Sequence, residues 1–135
     1  MTDTLSKKQR SANMRAVKSR DTKPETLVRR MSHGMGYRFR LHRKDLPGSP
    51  DLVFPSRRKV IFVNGCFWHG HKCRRGSQTP KTNTAFWKAK IAGNVRRDTE
   101  QLMRLNESGW RCLVVWECET KKQDRLASRL RRFLG

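Results

Sequence analysis

Within the eight residues Cys66-Phe67-Trp68-His69-Gly70-His71-Lys72-Cys73 the chain sets two cysteines and two histidines. No other segment restricts the fold as much, because a loop this dense in soft ligands has to close on something. The start, Met1 to Ser6, shows no signal-peptide core, so reduced thiols and a metal are expected rather than a disulfide. Tetrahedral zinc takes four nitrogen or sulfur ligands. The loop offers Cys66, His69, His71 and Cys73, and Cys118, after a later apolar run, can add a thiolate. Cys112 starts that same run; an even step of six puts the two cysteines on one face about 20 Å apart, too far to share an ion. A redox pair or plain buried thiols are the alternatives. A zinc here is structural, a staple for the 18-residue polar loop from Gly65 to Thr82.

Around this loop the apolar pattern is that of an α/β chain. Thr22-Lys23-Pro24-Glu25 has the capping-box pattern and starts a helix with Leu27 and Met31 at helical spacing, ending at Gly34 and Gly36. Tyr37 to Leu41 alternates as a half-buried strand does. After the turn Leu46-Pro47-Gly48, Asp51 to Phe54 predicts a short strand, with Phe54 in the core. Val60-Ile61-Phe62-Val63 predicts a second, apolar on both faces and so central. From Thr84, Ile91, Val95, Leu102 and Leu105 mark one face of a long helix that stops at Gly109. Leu113-Val114-Val115-Trp116 predicts a buried strand, and Leu126, Leu130 and Phe133 a closing helix. The order α-β-β-β-α-β-α gives an α/β fold, a mixed β-sheet flanked by helices. The 135 residues suit a single domain over 21–135, preceded by a basic arm over 1–20. No apolar run approaches the ~18 residues of a membrane span.

Charge narrows the partner. Lys and Arg number 32 against 11 Asp and Glu, a formal +21, which a compact chain tolerates best beside a polyanion. Its distribution says more: from Leu52 to Arg97 there is no carboxylate, eleven cations, and six of the eleven aromatics. Cations interleaved with Phe67, Trp68, Phe86 and Trp87 suit phosphate contacts with base stacking. The arm from Ser6 to Arg20 adds six cations around a thin apolar face of Met14 and Val17.

Asp51 is the last carboxylate before that stretch and directly follows Pro50. So placed, it can draw a divalent cation to where phosphate also arrives, or it is simply a turn residue. Glu25 has the capping box as its plain role. His69, if it is not a zinc ligand, is a base able to activate water.

These residues together resemble the very-short-patch-repair (Vsr) DNA mismatch endonucleases. The resemblance runs through Asn13-Met14-Arg15-Ala16, Asp21-Thr22 with Glu25, Leu46-Pro47-Gly48, Pro50-Asp51, and Phe62-Val63-Asn64. It continues through Gly65-Cys66-Phe67-Trp68-His69, His71, Cys73, Phe86-Trp87, Lys90-Ile91, Asn94, Arg97-Asp98 and Val115-Trp116-Glu117-Cys118, nearly the whole chain. It implies a variant of the PD-(D/E)xK nuclease fold that uses Mg²⁺ to nick one strand of duplex DNA. The nick falls 5′ of the thymine in a T:G mismatch left by deaminated 5-methylcytosine. By the same resemblance Asp51 binds the metal, as does the backbone carbonyl of Val63; His69 is the general base, and Glu25 hydrogen-bonds water on that metal. Cys66, His71, Cys73 and Cys118 match the structural zinc ligands, which leaves His69 free. Phe67, Trp68 and Trp87 match rings that wedge into the stack, Met14 a wedge from the opposite groove, and Lys90 and Asn94 contacts to the mismatched pair. Position 64 departs from some members, with Asn64 where they have a histidine; Asn64 can hydrogen-bond water but cannot relay a proton in the same way. The acid and lysine of the wider superfamily's second half-motif are also missing, which leaves water activation to His69.

The bacterial cytoplasm, association with DNA and a MutL-type repair protein as a candidate partner complete what the resemblance implies, and the sequence has no heptad or apolar stripe that argues against a monomer. The competing reading is a non-catalytic, zinc-stapled basic module that binds nucleic acid without cutting it.

Overall fold

The computed structural model describes residues 22–73 and 82–135. The basic arm with Met14, and residues 74–81 of the metal loop, lie outside the described residues. Among the described residues four helices and strands precede the loop and three follow it: α1 (Lys23–Gly34), β1 (Arg40–Leu41), β2 (Leu52–Phe54), β3 (Lys59–Asn64), α2 (Thr84–Glu107), β4 (Arg111–Trp116) and α3 (Gln123–Leu134). Short 3₁₀ turns at Pro55–Arg57 and Glu117–Lys121 link β2 to β3 and β4 to α3. The strands form one mixed sheet in the order β1-β2-β3-β4, antiparallel except for the parallel pair β3–β4.

Both faces of this sheet are covered, which explains why β3 is apolar on both sides. On one face Leu52, Phe54, Ile61 and Val115 pack against Val28 of α1 and against Leu126, Leu130 and Leu134 of α3. On the other, Val53, Val60 and Phe62 meet Leu105 of α2 and Trp110. The result is a three-layer sandwich, as the element order predicts. Thr22 caps α1 as expected, its Oγ1 accepting the Glu25 N–H at 3.4 Å.

Two elements differ from expectation. The strand predicted over Tyr37 to Leu41 shrinks to its last two residues, because its partner β2 runs into Pro55, which has no N–H to extend the ladder. Tyr37 and Phe39 still turn inward, with ring centroids 6.4 and 5.8 Å from that of Phe54. Helix α2 has the expected stripe, yet only its C-terminal half, with Leu102 and Leu105, reaches the sheet. At 24 residues it is about 36 Å long, whereas a six-residue strand spans about 20 Å. Its overhanging half, with Ile91 and Val95, supports Gly70 of the metal loop instead.

Candidate active site

Parallel β3 and β4 end side by side at Asn64 and Trp116. Antiparallel β2 brings the residue before it, Asp51, to that same rim. Open α/β sheets hold ligands outside the carboxyl ends of their strands, and here a cleft of about 580 Å³ opens at that place. Its walls include Glu25, Asp51, Val63, Asn64, Phe67, Trp68, His69, Lys90 and Asn94, nine of the residues the sequence singles out.

The cleft floor is acidic. Asp51 Oδ2 accepts the Val63 N–H at 2.7 Å. In an extended strand a residue's N–H and C=O point to the same edge, so the Val63 carbonyl also faces the Asp51 side. Glu25, at the first turn of α1, is buried and hydrogen-bonded by Arg29 one turn on. His42 lies between the two carboxyl groups, its Nε2 3.3 Å from Glu25 Oε1 and its Nδ1 3.8 Å from Asp51 Oδ1. Burial, and then the neighbouring Glu25, push the Asp51 carboxyl up to about 8, while the Val63 N–H and the Arg29 charge pull it down. Crowded, part-buried carboxyl groups of this kind gain from a cation. The donors of Glu25, His42 and Asp51 all lie within 4.8 Å of one another, so the residues fit a divalent ion.

Opposite this floor, His69 Nδ1 lies 2.5 Å from Asp98 Oδ2 on α2. With Nδ1 so committed, Nε2 is the nitrogen left for chemistry, and the carboxylate fixes the ring's orientation and tautomer. The sequence reading does not give Asp98 a role at the site, although it is the first acid after the acid-free stretch. His42 and Arg29 are missed as well; nothing in their spacing ties them to Asp51.

His69 stands apart from the second cluster of candidate metal ligands. The donor atoms of Cys66, His71, Cys73 and Cys118 fall within 4.8 Å of one another, with Cys112 outside the set as expected, although Cys118 stands in the 3₁₀ turn after β4 and not at the end of the strand itself. Cys118 N–H donates to Cys66 Sγ at 3.4 Å, and Cys118 Sγ is 3.6 Å from His71 Nδ1. Tetrahedral zinc with 2.3 Å bonds to sulfur sets thiolates about 3.8 Å apart, so the set closes on such an ion with small shifts. Burial pushes the Cys66 thiol up to about 12; a metal is what would hold it as thiolate. Trp116 separates the two histidines: His71 stacks on it at 4.2 Å and 16°, and His69 meets it edge-on at 6.4 Å.

At the cleft mouth Phe67, Trp68 and Trp87 form one half-buried cluster with centroids 5.0, 5.7 and 5.5 Å apart. Phe86 extends it as a ring 58% exposed, with Lys90 Nζ 6.0 Å from its centroid. Asn94 Nδ2 donates to the Trp68 carbonyl at 2.9 Å, and its Oδ1 accepts from Arg97 at 2.6 Å. Asn94 thus ties α2 to the aromatic loop besides facing the cleft.

The sequence matches the family described as DNA mismatch endonuclease Vsr over residues 2–75. It is 54% identical to the type II nicking enzyme V.XorIIP of Xanthomonas oryzae, over 99% of this chain and 98% of that one. Against DNA mismatch endonuclease Vsr of Escherichia coli the identity is 45%, over 93% of this chain and 80% of the relative. The fold is similar to the catalytic domain of homing endonuclease I-Bth0305I, with a TM-score of 0.60 and 20% identity over 84% of this chain and 94% of that domain. A purely binding, non-catalytic module is set aside by relatives this close along almost the full length. The chain belongs to the Vsr family of DNA mismatch endonucleases, and it is an endonuclease.

Proposed function

We propose that this enzyme nicks one strand of duplex DNA on the 5′ side of the thymine in a T:G mismatch, with Mg²⁺ as catalytic ion and Zn²⁺ as staple. The reading makes it a variant of the PD-(D/E)xK nucleases that starts very short patch repair of deaminated 5-methylcytosine in the bacterial cytoplasm. The observation that carries it is the pairing of an acidic floor, Asp51 with Glu25, with a carboxylate-oriented histidine across one cleft.

Asp51 and the Val63 carbonyl would hold the cation, whose chemistry is Lewis-acid polarisation of the scissile phosphate. Glu25 and Asn64 position water by hydrogen bonds at the floor. His69 Nε2 takes the proton of the water that attacks phosphorus, Asp98 steadies the imidazolium through Nδ1, and the P–O3′ bond breaks with a solvent water protonating the departing 3′-oxygen. Lys90 and Arg97 on the cleft wall offer charge to the phosphate backbone. A T:G wobble stacks poorly, so inserting Phe67, Trp68 and Trp87 costs less there than in matched DNA. Lys90 and Asn94 would then contact the mismatched pair, with Met14 of the arm wedging from the other groove. Cys66, His71, Cys73 and Cys118 would hold the zinc, anchoring the segment that carries His69 and the rings. The unit over 21–135 acts as one nuclease domain and the arm over 1–20 as a DNA clamp; a monomer suffices for this geometry.

The test is a nicking assay on T:G and matched duplexes. Cleavage is expected only with the mismatch and Mg²⁺, and not in EDTA. Asp51→Ala is expected to abolish the nick while retaining DNA binding, and Asp98→Asn to slow it by about 10²-fold. Normal nicking by the Asp51 variant would overturn the site assignment.

A further inference from the structure

The mechanism above leaves His42 without a task, although it lies closer to both floor carboxylates than any other histidine among the described residues. The ring is nearly enclosed, 11% exposed. Its backbone sits in the left-handed region at φ 50°, unusual for a non-glycine residue, and its N–H donates to the Asp51 carbonyl at 3.4 Å. Main chain and side chain therefore both tie His42 to Asp51.

The two ring nitrogens face different partners. Nδ1 looks across 3.8 Å to Asp51 Oδ1; Nε2 lies 3.3 Å from Glu25 Oε1 and 3.1 Å from Arg29 Nη2. A guanidinium only donates, so a hydrogen bond from Arg29 requires an unprotonated Nε2 and the ring proton on Nδ1. The opposite tautomer makes a different unit. Nδ1 then presents its lone pair beside Asp51, and Nε2–H points at the Glu25 carboxylate, the carboxylate–histidine–metal arrangement that metal sites use to aim an imidazole. Ligands about 2.1 Å from an ion and adjacent around it are about 3.0 Å apart, so Nδ1 and Asp51 Oδ1 reach that separation by closing less than an ångström.

We propose that His42, through Nδ1, is a ligand of the divalent cation held by Asp51, with Glu25 as its outer partner, and that this nitrogen tilts the site toward Mn²⁺-class ions relative to Mg²⁺. The proposal rests on the reading of Asp51 as the cation site. Mg²⁺ is a hard ion that favours oxygen and gives up water reluctantly, whereas Mn²⁺ and its neighbours accept imidazole readily. An all-oxygen floor lacks that bias; a floor with one nitrogen has it.

Metal binding to the zinc-loaded full chain, without DNA, tests this. Mn²⁺ is titrated by electron paramagnetic resonance, Mg²⁺ by competition, and bound Mn²⁺ is examined for ¹⁴N modulation in the pulsed spectrum. His42→Gln is expected to weaken Mn²⁺ about tenfold and Mg²⁺ less than about threefold, and to abolish the ¹⁴N signal. Equal losses for the two ions would make His42 a positioning residue and overturn the proposal. So would a wild-type spectrum without ¹⁴N modulation, or modulation that survives in His42→Gln. Asp51→Asn separates the underlying reading: if Mn²⁺ binds that variant as tightly as wild type, Asp51 is not the cation site. If Asp51→Asn loses the ion while His42→Gln keeps it fully, the His42 assignment alone fails. Unchanged zinc content and circular dichroism show that each variant is folded.

Discussion

Asp51 sits in an environment that works against its own charge. An unfolded-chain aspartate titrates near 4, while burial and Glu25 push this one up to about 8. Between those values the folded chain holds a proton that the unfolded chain has released. The unfolded state binds fewer protons there, so stability falls as pH climbs from about 4 to about 8. Urea unfolding of the zinc-replete, magnesium-free protein at pH 5 and pH 8 measures this. Asp51→Asn is expected to flatten the difference and to be more stable than wild type at pH 8; parallel slopes for the two proteins would refute the assignment. The same carboxyl group that weakens the empty fold is the one a cation stabilises.

Elements decide whether such residues meet. The segment with Cys66, His69 and Cys73 has no helix or strand of its own and rests on the overhanging half of α2, through Phe67 and Trp68 against Trp87 and through Gly70. Contact is close at Gly70, whose φ is +62° and where an added Cβ would stand 3.0 Å from Ile91 Cγ2 and 3.1 Å from Val95 Cγ2. Gly70→Ala is expected to cost about 1–3 kcal/mol in urea unfolding, from left-handed strain and that crowding. Nicking is expected to fall as well, since His69 is the adjacent residue; loss of neither would mean the loop is indifferent to its support. The sequence makes α2 and its stripe plain, but its length relative to β3 is what decides that Val95 supports a loop rather than a sheet. The same comparison explains the shortened β1: alternation from Tyr37 to Leu41 is legible, while the proline ending the partner ladder acts across the sheet.

Across the whole molecule the charge and the cleft agree. Asp51 and the Cys/His set are readable because each is a local pattern against an unusual background. Asp98, His42 and Arg29 are harder, since they join the site only when α2 returns over the sheet and when α1 and the β1–β2 connection converge on one floor. Asp98 lies 29 residues beyond His69, a pairing made by topology alone. With a formal +21 on 135 residues, phosphate contacts are expected to dominate binding. Affinity for a short duplex is expected to fall about 10³-fold between 50 and 200 mM salt; a flat response would show that the charge serves something other than DNA.

The four tryptophans divide the molecule's emission among separate events. Trp68 and Trp87, 5.5 Å apart, sit at the mouth where rings would leave each other to enter a base stack. Trp116 lies against His71 and reports on the metal ligands, whereas Trp110, buried beneath the Arg58 guanidinium, reports on the core. If the proposed ring insertion and zinc binding hold, fluorescence from single-tryptophan versions of this enzyme times DNA insertion, metal loss and unfolding as three distinct signals, without any added label.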